Sequence, residues 1–221
     1  MAATLTENLR LLNRKERHFL VGEALGNTRF RLHDSFRSRV GAAFGIEIPA
    51  SAFAGMDYHL NWLYAALVLT YEPDKDNLYD NGADYVQGNQ EDIDLLVVWE
   101  EGLKAHVVML EAKGVIPFSN EQLESKFERL RLMFGMDECH WRNVHPHFGL
   151  VSPRKPSRLR ENGAPKWAKK DVGEMVADND YFHWVELRNL KRRRPCLKMV
   201  TRCNNKGKPS ATGDFWTVAK G

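Results

Sequence analysis

Hydrophobic residues recur at helical spacing in three stretches of the chain. Residues 5–25 carry leucines among charges, which predicts one or two helices that end near Gly26. Met56–Leu69 is more uniformly apolar and predicts a helix packed on the core. Glu121–Phe134 has its large apolar residues on one side and follows Ser119, so we expect a strongly amphipathic helix there.

Four other apolar runs predict strands. Ile93–Trp99 and Ala105–Leu110 are nearly unbroken, as in strands that are buried on both faces. Residues 100–104 between them predict a hairpin connection. His147–Ser152 and Tyr181–Leu187 are further strand candidates.

Polar and glycine-rich stretches separate these elements. A loop is expected around Gly41–Pro49, and Glu72–Gln90 predicts a second loop around a short strand near Tyr85 and Val86. The tail Pro195–Lys220 suggests two short strands around a turn. Helices that alternate with buried strands indicate an α/β protein with a central mixed β-sheet flanked by helices. We expect one domain over residues 1–221, with a core from about 55 to 190, an N-terminal helical extension and a C-terminal β extension.

Two acidic residues and a lysine converge in the predicted hairpin. If its turn is centred between Gly102 and Leu103, Asp94 lies opposite Glu111, with Cβ atoms about 5 Å apart. Lys113 lies two residues beyond Glu111 and therefore points to the same side of the sheet. A slip of one residue in the register would separate them.

Two buried carboxylates this close are costly unless a cation neutralises them. Magnesium takes one or two carboxylates and keeps several waters, so Asp94, Glu111 and the backbone carbonyl of Ala112 are candidate metal ligands. Lys113 is then placed to orient a water or to stabilise charge on a phosphate. The alternative is a surface ion pair at the strand end.

The segments Asp92-Ile93-Asp94-Leu95-Leu96-Val97 and Leu110-Glu111-Ala112-Lys113-Gly114 resemble the core of the PD-(D/E)XK nuclease superfamily. The resemblance implies a restriction-endonuclease-like fold and hydrolysis of phosphodiesters with Mg²⁺ or Mn²⁺. It assigns catalysis to Asp94, Glu111 and Lys113. The expected order of helix, strand hairpin, crossover helix and strand also resembles that core.

Several positions depart from the motif. No proline precedes the aspartate, and Asp92 competes with Asp94 for the role; we prefer Asp94, because the apolar strand follows it. Many members of the family carry an acid on the first helix, for which Asp57 is the candidate, followed by Glu23 and Glu16. A helix-start residue that binds backbone amides is the alternative for Asp57. On the crossover helix, Gln122 and Lys126 are the possible substrate contacts, although some branches have a tyrosine where Lys126 stands.

Charge is unevenly distributed along the chain. Residues 1–113 carry a net charge of −6 and residues 114–221 one of +9, so a basic second half can meet phosphates. The predicted nucleic-acid contacts are Lys169, Lys170, Lys191, Arg192, Arg193 and Arg194. Nucleic acid is thus the expected partner, with DNA favoured over RNA, and a homodimer is conceivable. The alternative function is a non-catalytic nuclease-like module that binds nucleic acid or a protein.

The remaining sequence features bear on the cellular compartment of the protein. Apolar residues make up 43% and charged residues 28% of the 221 positions, as in globular proteins. No apolar segment is long enough to span a bilayer, no secretory signal is recognisable, and the three cysteines do not make a disulfide framework. We therefore expect a cytoplasmic protein without a membrane partner. Cys139, His140, His145 and His147 lie close together but match no paired zinc-ligand spacing.

Overall fold

A computed structural model of the protein describes residues 3–74, 76, 78–88, 91–161, 163–170, 180–193 and 197–220. The helices of these residues are α1 (Leu5–Leu12), α2 (Glu16–Ala24), α3 (Asp34–Phe44), α4 (Leu60–Tyr71), α5 (Asn120–Phe134), α6 (Arg188–Arg193) and a 3-10 turn at Lys166–Ala168. The strands are β1 (Phe53–His59), β2 (Asp92–Glu101), β3 (Lys104–Ala112), β4 (Val144–Ser152), β5 (His183–Glu186), β6 (Lys198–Cys203) and β7 (Phe215–Lys220).

The central sheet has the strand order β1-β2-β3-β4-β5. The first three strands are antiparallel to one another, whereas β3, β4 and β5 are parallel. In the hairpin, Leu95 pairs with Leu110 and Val98 with Val107, which is the register expected from the sequence. Gly102 supports the turn with a φ of 61°, a backbone conformation that favours glycine. The prediction of an α/β protein with a mixed sheet is confirmed.

The sheet is covered on both faces. Val107 and Met109 of β3 pack with helices α1, α4 and α5 in one apolar cluster, while Val108 and Leu110 pack with α3 in another. Both faces of β2 and β3 are thus buried, which explains the unbroken apolar runs. Ser119 caps α5 by accepting a hydrogen bond from the backbone of Gln122, so this helix begins where the sequence indicated.

The helix predicted at Met56–Leu69 is wrong at its start. Residues Phe53–His59 form β1, an edge strand paired with β2, and the helix begins only at Leu60. The chain passes from strand to helix without a glycine or proline, so composition alone does not mark the boundary. Tyr58 is buried on this strand, and its hydroxyl donates a hydrogen bond of 2.9 Å to the carbonyl of Leu9.

Two further local predictions are wrong. The loop expected around Gly41 is partly helix α3, in which a Cβ on Gly41 would lie 2.6 Å from the carbonyl oxygen of Ile46. The glycine therefore permits a close approach of backbone segments and does not break the helix. Tyr85 and Val86 form no strand; the Tyr85 ring stacks on Tyr64, with centroids 4.6 Å apart.

The C-terminal tail forms a separate two-stranded sheet, β6–β7, as the sequence suggested. Its exposed apolar side chains include Met199 and Trp216. None of the helices in the described ranges is both long and apolar enough to cross a membrane.

Candidate active site

The candidate site lies where β2 begins and β3 ends. The hairpin register, carried one residue beyond the Leu95–Leu110 pair, sets Asp94 opposite Glu111. The Asp94 carboxylate accepts a hydrogen bond of 2.6 Å from the backbone amide of Ala112. This bond fixes the Asp94 side chain beside the E-x-K segment, as the sequence-based register required.

Glu111 is the most confined group of the site, with 9% of its surface exposed. Its carboxylate lies 2.8 Å from the Lys126 ammonium of helix α5. Burial raises the pKa of Glu111, and Asp94 raises it further, while Lys126 and Lys113 oppose that shift. The buried carboxylate therefore depends on neighbouring cations for its charge.

An open cavity of about 460 Å³ lies in front of these residues, between the end of β3 and helix α5. Glu111, Lys113, Gln122 and Lys126 all line it. The structure thus brings Gln122 and Lys126, the two predicted contacts on α5, into the same cavity as Glu111 and Lys113. Lys126 also donates to the backbone carbonyl of Asp92, which ties α5 to the start of β2.

The acid predicted on the first helix, Asp57, lies on a strand instead. Asp57 lies on β1 with a φ of 47°, between two residues that pair with Leu95 and Ile93. It is therefore level with Asp94, but its carboxylate is 2.7 Å from Arg17. Like Asp94, Asp57 does not line the cavity, and Glu16 and Glu23 on the exposed side of α2 do not line it either.

Asp92, the competitor of Asp94, is engaged elsewhere. Its carboxylate accepts from Lys15 at 2.8 Å and from the Nδ1 of His59. Both partners belong to the N-terminal half of the chain and lie away from Glu111 in sequence. The Asp92 carboxylate thus has two partners of its own, and the choice of Asp94 for the site stays a prediction.

Sequence reasoning missed Glu91 as a residue of the site. It lines the cavity, and its Oε1 accepts a hydrogen bond of 3.1 Å from Ser125 on α5. Within the described ranges, no hydrogen-bond partner faces its other oxygen, Oε2. The local sequence gives no signal for this role, because Glu91 precedes the strand. It reaches the cavity only because helix α5 packs beside it.

The side chains of Asp94 and Glu111 suit a hard cation. Where the structure describes the chain, no group of three or more His, Cys, Asp and Glu side chains is arranged to hold a metal ion. Two carboxylates are nevertheless enough for magnesium, which completes its shell with water. The contribution of the Ala112 carbonyl stays a prediction.

Three of the six predicted nucleic-acid contacts are paired with acids. Lys169 lies 3.0 Å from Glu161, Lys170 lies 2.7 Å from Asp180, and Lys191 lies 2.5 Å from Glu186. Such pairs lower the charge available to a phosphate.

Helix α6 nevertheless lies close to the site. A Cβ on Gly114 would come within 2.8 Å of the Leu190 side chain, so α6 packs beside the residue that follows Lys113. Arg192 and Arg193 are exposed on this helix, and Arg194 lies outside the described residues.

Replacing Lys126 with methionine is expected to lower the free energy of unfolding by about 1 to 3 kcal/mol in the presence of EDTA, because it leaves the buried Glu111 carboxylate without its partner. Urea denaturation measures the change. The Lys126→Met variant with Glu111→Gln added is the matched control and is expected to recover most of the loss. An equal loss in both variants would show that the lysine stem packs the helix and that the ion pair contributes little.

Comparison of the chain with protein-family models, with curated proteins and with solved structures finds no match.

Proposed function

We propose that the protein is a nuclease of the PD-(D/E)XK type that hydrolyses nucleic-acid phosphodiester bonds with Mg²⁺ or Mn²⁺. The observation that carries the proposal is the convergence of Asp94, Glu111 and Lys113 at one end of a buried hairpin. The buried Glu111 carboxylate beside Lys113 in an open cavity is costly for stability, and groups of this kind commonly mark functional sites.

The metal would be held by the carboxylates of Asp94 and Glu111. When bound, it would polarise the phosphate and lower the pKa of a water. Its charge would also replace part of the neutralisation that Lys126 gives to Glu111.

The lysines supply the remaining chemistry. Lys113 lines the cavity with Glu111, and it would orient the attacking water and stabilise negative charge on the phosphate. Gln122 lines the same cavity from α5 and has an amide that is able to donate to a phosphate oxygen. The two side chains would position a phosphodiester in front of the carboxylates.

The arrangement of the strands supports a restriction-endonuclease-like core. Helix α4, the β2–β3 hairpin, the crossover helix α5 and the parallel strand β4 follow one another in the order that the resemblance implies. Asp94 near the start of β2 and Glu111 near the end of β3 lie at the same end of this sheet.

The proposal is tested by incubating the protein with labelled single- and double-stranded DNA and RNA. We expect cleavage in Mg²⁺ or Mn²⁺ and its loss in EDTA, because the carboxylates need the cation to act on a phosphodiester. A protein that cleaves equally well in EDTA would exclude this mechanism.

The Glu111–Lys126 ion pair favours a second candidate, a non-catalytic module. In this pair Lys126 neutralises the buried Glu111 carboxylate without a metal. A domain that only binds nucleic acid or a protein needs no metal at this position. Binding of nucleic acid without cleavage under any metal condition would identify that module.

A further inference from the structure

Two loops leave the sheet side by side, at the end of the strands that holds the candidate site. Strands β3 and β4 are parallel neighbours, paired to the level of Ala112 and Val151. The chain segments that follow them therefore leave the sheet in the same direction. Residues 113–118 and 152–159 enclose a groove of about 410 Å³ between these two segments.

The two walls of the groove differ in chemistry. The segment after β3 contributes apolar side chains, among them Val115 and Ile116, of which Ile116 is 75% exposed. The segment after β4 contributes Arg154, Lys155 and Arg158, all exposed. Among the residues that the structure describes, no carboxylate lines the groove.

The basic wall is held in place by helix α5. The side chain of Asn120 accepts a hydrogen bond of 2.8 Å from the backbone of Arg160 and donates to the carbonyl of Arg158. Lys155 pairs with Asp180 at 2.7 Å, so Arg154 and Arg158 supply most of the unneutralised charge of this wall among the described residues. The groove therefore exists before a ligand arrives.

The groove continues into the candidate active site. Lys113 and Phe118 line both the groove and the cavity that contains Glu111. A chain that passes through the groove would reach Lys113 without leaving the protein surface.

We infer that this groove binds unpaired nucleotides adjoining the scissile phosphate, an inference that rests on the proposed nuclease function. The arginines would contact the phosphates, and the exposed side chains near Ile116 would contact base faces. A duplex offers phosphates on its outside but hides its base faces in the stack, so the apolar wall has nothing to bind there. The proposed substrate is therefore single-stranded, or a duplex with an unpaired end.

Binding measured in EDTA separates this inference from catalysis. Fluorescence anisotropy of the wild-type protein is expected to give tighter binding to a single-stranded oligonucleotide than to a duplex of the same sequence. Arg154→Gln with Arg158→Gln is expected to weaken single-strand binding about tenfold and to reduce the salt slope by about 1.4. Lys206→Gln with Lys208→Gln, two exposed lysines outside the groove, is the matched control for charge.

A separate variant tests the apolar wall of the groove. Ile116→Ser is expected to weaken binding of the single strand about threefold and to leave duplex binding unchanged, since only unpaired bases expose their faces. Leu103→Ser, an exposed aliphatic residue at the far turn of the hairpin, is the control.

The possible results distinguish the two proposals. If the groove variants bind single strands as wild type does, or if Ile116→Ser weakens both polymers equally, the inference is overturned, whether or not the protein cleaves. If the groove variants lose single-strand binding and the wild type cleaves nothing, the inference that the groove binds unpaired nucleotides is supported and the catalytic proposal fails.

Discussion

Lys113→Ala and Asp94→Asn are each expected to reduce metal-dependent cleavage by a factor of about 100 to 1000. In the proposed mechanism Lys113 would stabilise charge that develops on the phosphate, and removal of one such group commonly has an effect of this size. Asparagine keeps the shape of Asp94 but loses the charge that a divalent cation requires. Rates are compared in excess Mg²⁺ on the polymer that the wild type cleaves best.

The matched control is Lys104→Ala, which removes an exposed lysine from the first position of the same strand. It is expected to cleave at the wild-type rate. Circular dichroism establishes that each variant is folded. Cleavage that persists in folded Lys113→Ala and Asp94→Asn proteins would place the active site elsewhere on the molecule.

The hairpin and its acidic pair could be predicted because their signals are local. Side chains alternate along a strand with a period of two, and the Gly102 turn fixes the register, so the opposition of Asp94 and Glu111 follows from counting. The start of α5 was equally accessible, since Ser119 caps the helix directly before its amphipathic pattern.

The position of Asp57 could not be predicted in this way. The apolar pattern of Met56–Leu69 suits a helix, but pairing with β2 captures its first four residues in a strand. Tertiary contacts of this kind override local propensity. The partner of Asp57, Arg17, lies forty residues earlier and leaves no trace in the local sequence.

The charge of the basic segments also depends on the tertiary structure. Lys170 and Lys155 meet at Asp180, and Lys191 meets Glu186. A run of cations in the sequence therefore overstates the positive potential at those positions. Arg154 and Arg158, within a looser run, lie instead in a groove whose described lining residues include no acid.

A row of histidines on the sheet predicts acid-sensitive stability. His106 and His145 stack with centroids 5.2 Å apart, and His106 stacks on His147 at 5.6 Å. Burial lowers the pKa of His147 to about 4, and the neighbouring His106, His183 and His145 add to the shift. Burial also lowers the pKa of His106 and of His183.

The sign of the effect follows from proton binding. Below about pH 6.5 the unfolded chain takes up a proton at His147, whereas the folded protein does so only near pH 4. The stabilisation is therefore complete above pH 6.5 and is lost as the pH falls toward 4. Between pH 7 and pH 4.5, His147 alone is expected to lower the free energy of unfolding by about 2 to 3 kcal/mol.

Urea denaturation of wild type and His147→Phe at both pH values isolates this group from the carboxylates that also titrate. Phenylalanine keeps an aromatic ring beside Phe44, whose ring centroid lies 5.7 Å from that of His147, but binds no proton. We expect the variant to lose about 2 to 3 kcal/mol less than wild type between pH 7 and pH 4.5, and His140→Gln, at an exposed position, to behave as wild type. Equal losses in all three proteins would mean that His147 accepts its proton at an ordinary pH, and that the histidine row opens to water before the fold is lost.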